Sequence, residues 1–267
     1  MRVKVVSLHI YPVKSLRGVE VTSAEVERRG LALDRRWMVV GPDGMFFSQR
    51  KLPKMALIDC EPSATGLRLR AANLPVLEVP LDPSGPRRIV QVWCSRVAAR
   101  EVSADAAQWL TEVLGMDCSL VKLDPNSRRT AKGPETRAGD IVGFADSNPI
   151  LVTSQESLDV LNSKMTTPLE MRRFRPNIVL QGCAPHEEDS FAQMDIGSVR
   201  LRRTRLCGRC IVTTIDPSTG LSGEEPLRAL ASYRRDGRNV NFGAHFAPDA
   251  LGRIEVGDAV VTSSTPS

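Results

Sequence analysis

The stretch Cys207-Gly208-Arg209-Cys210-Ile211-Val212-Thr213-Thr214-Ile215-Asp216-Pro217-Ser218-Thr219-Gly220 sets a Cys-x-x-Cys pair in front of a β-branched run closed by an Asp-Pro turn. β-branched residues favour strands, so residues 211–215 read as a strand with two thiols at its mouth. A thiolate held there is a good soft-metal ligand. Gly208 lets the chain bend between the sulfurs, and Arg209 adds a fixed positive charge that favours thiolate and can grip an anion. Structural zinc would need two more ligands, and the sequence holds neither a second Cys-x-x-Cys nor a histidine pair. His9, His186 and His245 stand far apart in sequence and read as core or surface residues. A thioredoxin-like site would need a helix after the first cysteine, where this pattern gives a strand.

Working outward, most of the chain alternates at period two between turn signals, which makes the fold mainly β with a few helices, an α+β protein. Residues 37–40, the turn Gly41-Pro42-Asp43-Gly44 and residues 45–47 form a hairpin signal, and 67–70, 76–81, 89–93 and 97–102 continue the pattern. Ser103 can cap a helix whose Trp109, Leu110, Val113 and Leu114 share a face and which Gly115 ends. Thr153 and Glu156 resemble a capping box, Pro226 suits the start of another helix, and 252–261 read as strand, Gly-Asp turn and strand closing a small barrel. Residues 124–140 are polar and rich in Pro, Gly, Arg and Thr, so they are expected to form an exposed loop or linker between two β-rich halves, 1–123 and 124–267.

At 267 residues the chain can bury a full core. Its six cysteines form no disulfide framework, which points to a reducing compartment, and residues 1–11 already read as a strand. A cytoplasmic protein without a membrane anchor is expected. The net charge of +5 suits nucleic acid, an acidic protein partner or a phosphorylated cofactor. With 4% aromatic residues, stacking platforms for single strands are scarce and nucleic acid is disfavoured.

Four polar islands end apolar runs, where a barrel exposes the loops that build sites. In Tyr11-Pro12-Val13-Lys14-Ser15, the lysine and the hydroxyl can hold a phosphate; the alternative is a plain basic turn. Asp34-Arg35-Arg36-Trp37 opens a hairpin with a pair of arginines, which could equally be solvated. Ala145-Asp146-Ser147-Asn148-Pro149 is a turn able to face an anion or an amide edge, and Phe174-Arg175-Pro176-Asn177 offers a fork donor and an amide.

In order, these islands and the Cys-x-Arg-Cys-Ile-x-Thr-Thr-x-Asp-Pro-x-Thr-Gly segment resemble the molybdenum-cofactor MOSC family, in particular the mitochondrial amidoxime-reducing components and their bacterial relatives. The resemblance spans essentially the whole chain. It implies an N-terminal MOSC β-barrel-like domain, a C-terminal MOSC β-barrel, and a molybdopterin-bound molybdenum with Cys210 as metal ligand. It also implies cofactor contacts from Lys14, Ser15, Arg35, Ser147, Asn148, Pro149, Arg175, Asn177, Gly208 and Arg209. Gly208 stands where relatives carry a small hydroxyl residue, and Asn148 departs from a Ser or Thr pattern. Asp146 is the acid that the motif brings near the site.

The expected activity is reduction of small N-hydroxylated substrates, namely amidoximes, hydroxylamines or N-hydroxylated bases. Electrons would come from a separate, acidic redox protein, because no Gly-x-Gly-x-x-Gly fingerprint or ferredoxin-type cysteine spacing is present. The alternatives are a MOSC sulfur-transfer or cofactor-carrier protein using Cys210, and a basic RNA-binding barrel.

Overall fold

Seven strands curl into a barrel whose closure uses both ends of the chain. The computed structural model describes residues 2–264. In spatial order the strands are Lys4–Ile10, Ile178–Gln181, Ile150–Ser154, Asn239–Ala250, Val199–Gly208, Phe191–Ile196 and Val260–Ser264. The ring closes where Val5 N donates to Asp258 O and Val260 N donates to Val3 O, each at 2.9 Å. Ile150–Ser154 and Ile178–Gln181 run parallel, and the other pairs are antiparallel. Inward positions such as Val5, Leu8, Val152, Leu180, Met194, Leu201 and Phe246 fill the interior. Each such side chain contributes about 1.5–3 kcal/mol on burial.

Residues between the first strand and the rest of the barrel build a second body. Trp37–Val40, Ser119–Leu123, Ser95–Glu101 and Arg87–Val92 form a four-stranded sheet in that order. Trp37–Val40 is buried on both faces. Trp37 and Val39 pack with Trp109 and Leu110 of the helix Ala104–Leu114, whereas Met38 and Val40 pack with Val90, Val121 and Phe144. That helix begins and ends as expected: Ser103 Oγ accepts from Ala106 N at 3.1 Å, and Gly115 takes φ 65°.

Several local expectations change. Residues 211–215 are not a strand: Ile211–Thr214 is a single turn of 3-10 helix. The hydroxyls of Thr213 and Thr214 donate back to the carbonyls of Cys210 (3.0 Å) and Ile211 (2.8 Å), a local bond that competes with a sheet ladder. The strand before it is correspondingly longer, Val199–Gly208. The cap of helix Gln155–Ser163 is Ser154, one residue after the expected Thr153, and Glu156 accepts instead from Gly182 N at 2.7 Å. Gly252–Glu255 and Val260–Ser264 do not pair with each other; the first pairs with Ser23–Glu27 and the second with Phe191–Ile196.

Residues 124–140 are largely exposed, yet Asp124, Arg129 and Ala131 are buried, so the segment is anchored rather than a free linker. Sheet pairing also crosses the border expected at residue 124, because Lys4–Ile10 lies beside Ile178–Gln181.

Candidate functional site

Where the barrel's strand ends meet the second body lies a cavity of about 200 Å³. Lys14, Ser15, Arg35 and Arg50 come from the N-terminal segment; Asp146, Ser147 and Asn148 from one turn; Arg175 and Asn177 from the next; and Cys207, Gly208, Arg209, Cys210 and His245 from the barrel rim. Every residue expected at the site lines this one cavity except Pro149, whose carbonyl packs against Gly30, where a Cβ would come within 2.4 Å of it.

The cationic wall is held by the backbone in a sparsely populated conformation. Ser15, Arg35 and Arg175 all lie in the left-handed region, with φ of 69°, 48° and 55°. Non-glycine residues at such angles cluster at functional sites. The Arg35 and Arg175 guanidinium carbons each lie 4.2 Å from the Tyr11 ring centroid. Arg35 donates to both carboxylate oxygens of buried Asp34, at 2.8 and 2.7 Å, and to Asn177 Oδ1 at 3.2 Å. Burial, followed by the nearby Arg35 charge, pulls Arg175 down to about 10. Five cations, Lys14, Arg35, Arg50, Arg175 and Arg209, line the cavity against the single carboxylate of Asp146. Such an imbalance calls for an anion.

Asp146 does not have the properties of the acid that the motif promised. Lys14 Nζ forms an ion pair with one carboxylate oxygen, and Arg50 donates to the other at 2.8 Å. Burial would raise its pKa, but these two cations outweigh it and hold the carboxyl well below the usual carboxylate range. An ionised carboxylate is a poor proton donor at neutral pH. Arg129 fixes the turn around it by donating to the carbonyls of Gly143 (2.9 Å), Ala145 and Asp146 (2.5 Å).

Asn148 and Asn177 serve as fasteners. Asn148 Nδ2 donates to Lys132 O at 2.9 Å and its Oδ1 accepts from Thr204 at 2.9 Å. Asn177 Nδ2 donates to His9 O at 3.1 Å, and its Oδ1 accepts from Leu151 N at 3.1 Å. Gly208 lies close to Asn239, whose Oδ1 would be 3.1 Å from a Cβ there.

The two sulfurs have different surroundings. Cys210 is half-buried, and Arg50 donates to its Sγ at 3.2 Å. Cys207 is buried, and Arg209 donates to its Sγ at 2.9 Å. Burial would push the Cys207 thiol up, but Arg209 and His245 outweigh burial and bring it down to about 6.

Sequence reasoning missed Arg50, Arg129 and His245. Arg50 and Arg129 belong to no motif, and His245 was set aside because its distance in sequence hid its place at the rim. The strand register could have found His245, which pairs with Leu151 and Arg205.

The donor set fits an anionic group that brings a metal with most of its ligands attached. Among the described residues there is no cluster of three His, Cys, Asp or Glu able to hold a metal alone. Two buried nitrogens of cavity residues, Arg209 Nε and His245 Nδ1, have no hydrogen-bond partner. Cys210 offers a single half-buried thiol at the cavity.

This architecture is matched by two family models: the MOSC N-terminal beta barrel domain over residues 2–117 and the MOSC domain over residues 139–261. A barrel of this class carries the cavity at its strand ends. The chain is 37% identical over 275 residues to mouse (Mus musculus) mitochondrial amidoxime-reducing component 1, covering 96% of this chain and 81% of that protein. Human (Homo sapiens) component 1 is 35% identical, covering 96% and 82%, and bovine (Bos taurus) component 2 is 34% identical, covering 95% and 81%. The chain belongs to the amidoxime-reducing component family of MOSC proteins.

Proposed function

We propose that this protein is a molybdenum-cofactor oxidoreductase that reduces N-hydroxylated compounds, such as amidoximes, hydroxylamines and N-hydroxylated bases, to amidines or amines and water. The observation that carries it is a single cavity combining the Cys210 thiol with an excess of cationic side chains. When bound, the cofactor supplies the two electrons that break the N–O bond. With two protons, an amidoxime becomes an amidine and water.

The chain's residues perform the rest. Cys210 would hold the metal through one thiolate, and Lys14, Arg35, Arg175 and Arg209 would hold the cofactor's anionic group. Ser15, Ser147 and the Gly208 backbone complete the cradle; Asn148, Asn177 and Pro149 hold it in shape. Protons come from water, since Asp146 stays ionised between Lys14 and Arg50. Residues 1–123 act as the part that supplies Lys14, Arg35 and Arg50, and 124–267 as the part that supplies Arg175, Arg209 and the thiolate.

The electron donor is a separate, acidic protein. Ile211 and Leu221, on the loop after Cys210, are 51% and 71% exposed. Arg172 bonds Ser218 in that loop at 2.9 Å, Lys54 packs beside Gly220, and Lys51 and Lys54 are both exposed. Apolar contacts ringed by positive charge suit a small acidic carrier. No helix among the described residues is long and apolar enough to cross a membrane. All six cysteines are free, which supports a reducing, cytoplasmic setting.

The test is molybdenum analysis of the purified chain from a cofactor-competent host, followed by reduction of benzamidoxime with reduced viologen or with NADH alone. One molybdenum per chain and viologen-driven turnover without NADH-driven turnover is expected. Retained metal without reduction of any N-hydroxylated substrate would favour a carrier instead.

A further inference from the structure

The hairpin joining Arg87–Val92 to Ser95–Glu101 turns at Trp93-Cys94, with Val92 paired to Ser95. Trp93 lies in the left-handed region at φ 54°. Tight hairpin tips of this kind normally take Asn, Asp or Gly, and a bulky side chain there is an outlier. Strain of this sort persists where the side chain has work to do. Trp37 and Trp109 are buried in the core; Trp93 remains 41% exposed.

Its neighbours place it beside the metal ligand. The Trp93 Nε1–H donates to Asp146 Oδ1 at 3.3 Å, and the Arg50 guanidinium carbon lies over its ring, 4.9 Å from the centroid. Phe46 meets the ring edge-on at 5.0 Å. Arg50 and Asp146 both line the cavity, and Arg50 also reaches Cys210 Sγ at 3.2 Å. A partly exposed aromatic ring therefore lies against two residues that line the cavity, one arginine away from the sulfur. These contacts leave much of the residue uncovered, and they hold it in a strained conformation.

We propose that Trp93 is a specificity-determining residue: its exposed ring stacks planar aromatic N-hydroxylated substrates at the cavity mouth and favours them over small aliphatic ones. The inference rests on the functional reading above and deepens it by naming the substrate class. Stacking on an exposed aromatic ring is tolerant of substituents and requires only a flat π face, which an aryl amidoxime or an N-hydroxylated base provides.

The experiment compares benzamidoxime with acetamidoxime in the cofactor-loaded enzyme under viologen, for wild type, Trp93→Phe and Trp93→Asn. In Trp93→Asn, KM for benzamidoxime rises about tenfold with kcat unchanged, while both constants for acetamidoxime hold. Trp93→Phe keeps most of the aromatic preference. Because Asn suits a left-handed turn, Trp93→Asn melts no lower than wild type. Calorimetric binding of the product amidine, benzamidine, weakens in Trp93→Asn in parallel with KM. An equal rise in KM for both amidoximes, or none for benzamidoxime, overturns the proposal. If wild type reduces neither amidoxime, the functional reading fails instead, and benzamidine binding alone then decides the role of Trp93.

Discussion

The two sides of the cavity are built on opposite plans. On the N-terminal side, Lys14, Arg35 and Arg50 reach the cavity from irregular backbone and find carboxylates or aromatic rings as partners. On the barrel side, Asn148 and Asn177 spend their amides on main-chain and neighbouring side-chain groups. The difference separates residues that should act on a ligand from residues that should keep the wall in place. Mutations of the cavity's charged and thiol side chains should therefore differ from mutations of its fastening amides in what they change: retention of the cofactor for the first, melting temperature for the second.

The largest effect should come from Cys210→Ser, which removes the thiol that the proposed function assigns to the metal. Bound molybdenum and turnover should be lost while the melting temperature holds, as measured by metal analysis and calorimetry. Cys207→Ser should keep its metal, since Arg209 and His245 already engage that sulfur. Equal metal loss in both variants would erase the distinction between the two sulfurs.

Next in size, Lys14→Ala and Arg175→Ala would each remove the charge-assisted hydrogen bond to the cofactor's anionic group that the proposed function assigns to them. Cofactor retention should weaken roughly tenfold to a hundredfold, from about 1.5–3 kcal/mol. Asn177→Ala supplies the contrast, because it leaves His9 O and Leu151 N without their side-chain partner. It should cost about 1–3 kcal/mol of stability and lower the melting temperature by several degrees. If Asn177→Ala lost cofactor without melting earlier, the two-plan description would fail.

The smallest effect concerns pH. In the folded protein the Cys207 thiol is held down to about 6, below its ordinary value of about 8.5. Its contribution is fully present above the unfolded pKa and is lost as pH falls through the folded one. The melting-temperature gap between wild type and Cys207→Ser should therefore narrow as pH falls from alkaline values to about 6. A gap independent of pH would mean that the folded thiol titrates normally.

The contrast also explains what was legible in the sequence. The residues converging on the cavity stood in short motifs, because binding an anion and a soft metal restricts residue type wherever the chain runs. Period-two alternation and the Ser103 cap were legible for the same reason: they arise from neighbours along the chain. Arg50 and Trp93 were not, since their roles depend on a hairpin and a loop meeting Asp146 across long sequence separations. The turn at Ile211–Thr214 overrode β propensity through two threonine hydroxyls, a local competition that residue type alone leaves open. The ionised state of Asp146 is likewise hidden in the sequence, because it depends on Lys14 and Arg50 arriving from distant segments.

The barrel closure has a consequence for biosynthesis. Val5 joins Asp258, and Val3 joins Val260, so the ring that carries the Cys210 rim is sealed by two segments at opposite ends of the fold's sequence span. During translation the strand Lys4–Ile10 can pair at once with residues 19–21 but must wait for Ile178–Gln181, more than a hundred residues downstream, the slow kind of pairing that high contact order imposes. The barrel that carries the pocket closes only after residues 258–260 have been made and have paired with residues 3–5, so insertion of the cofactor is a step on a folded acceptor.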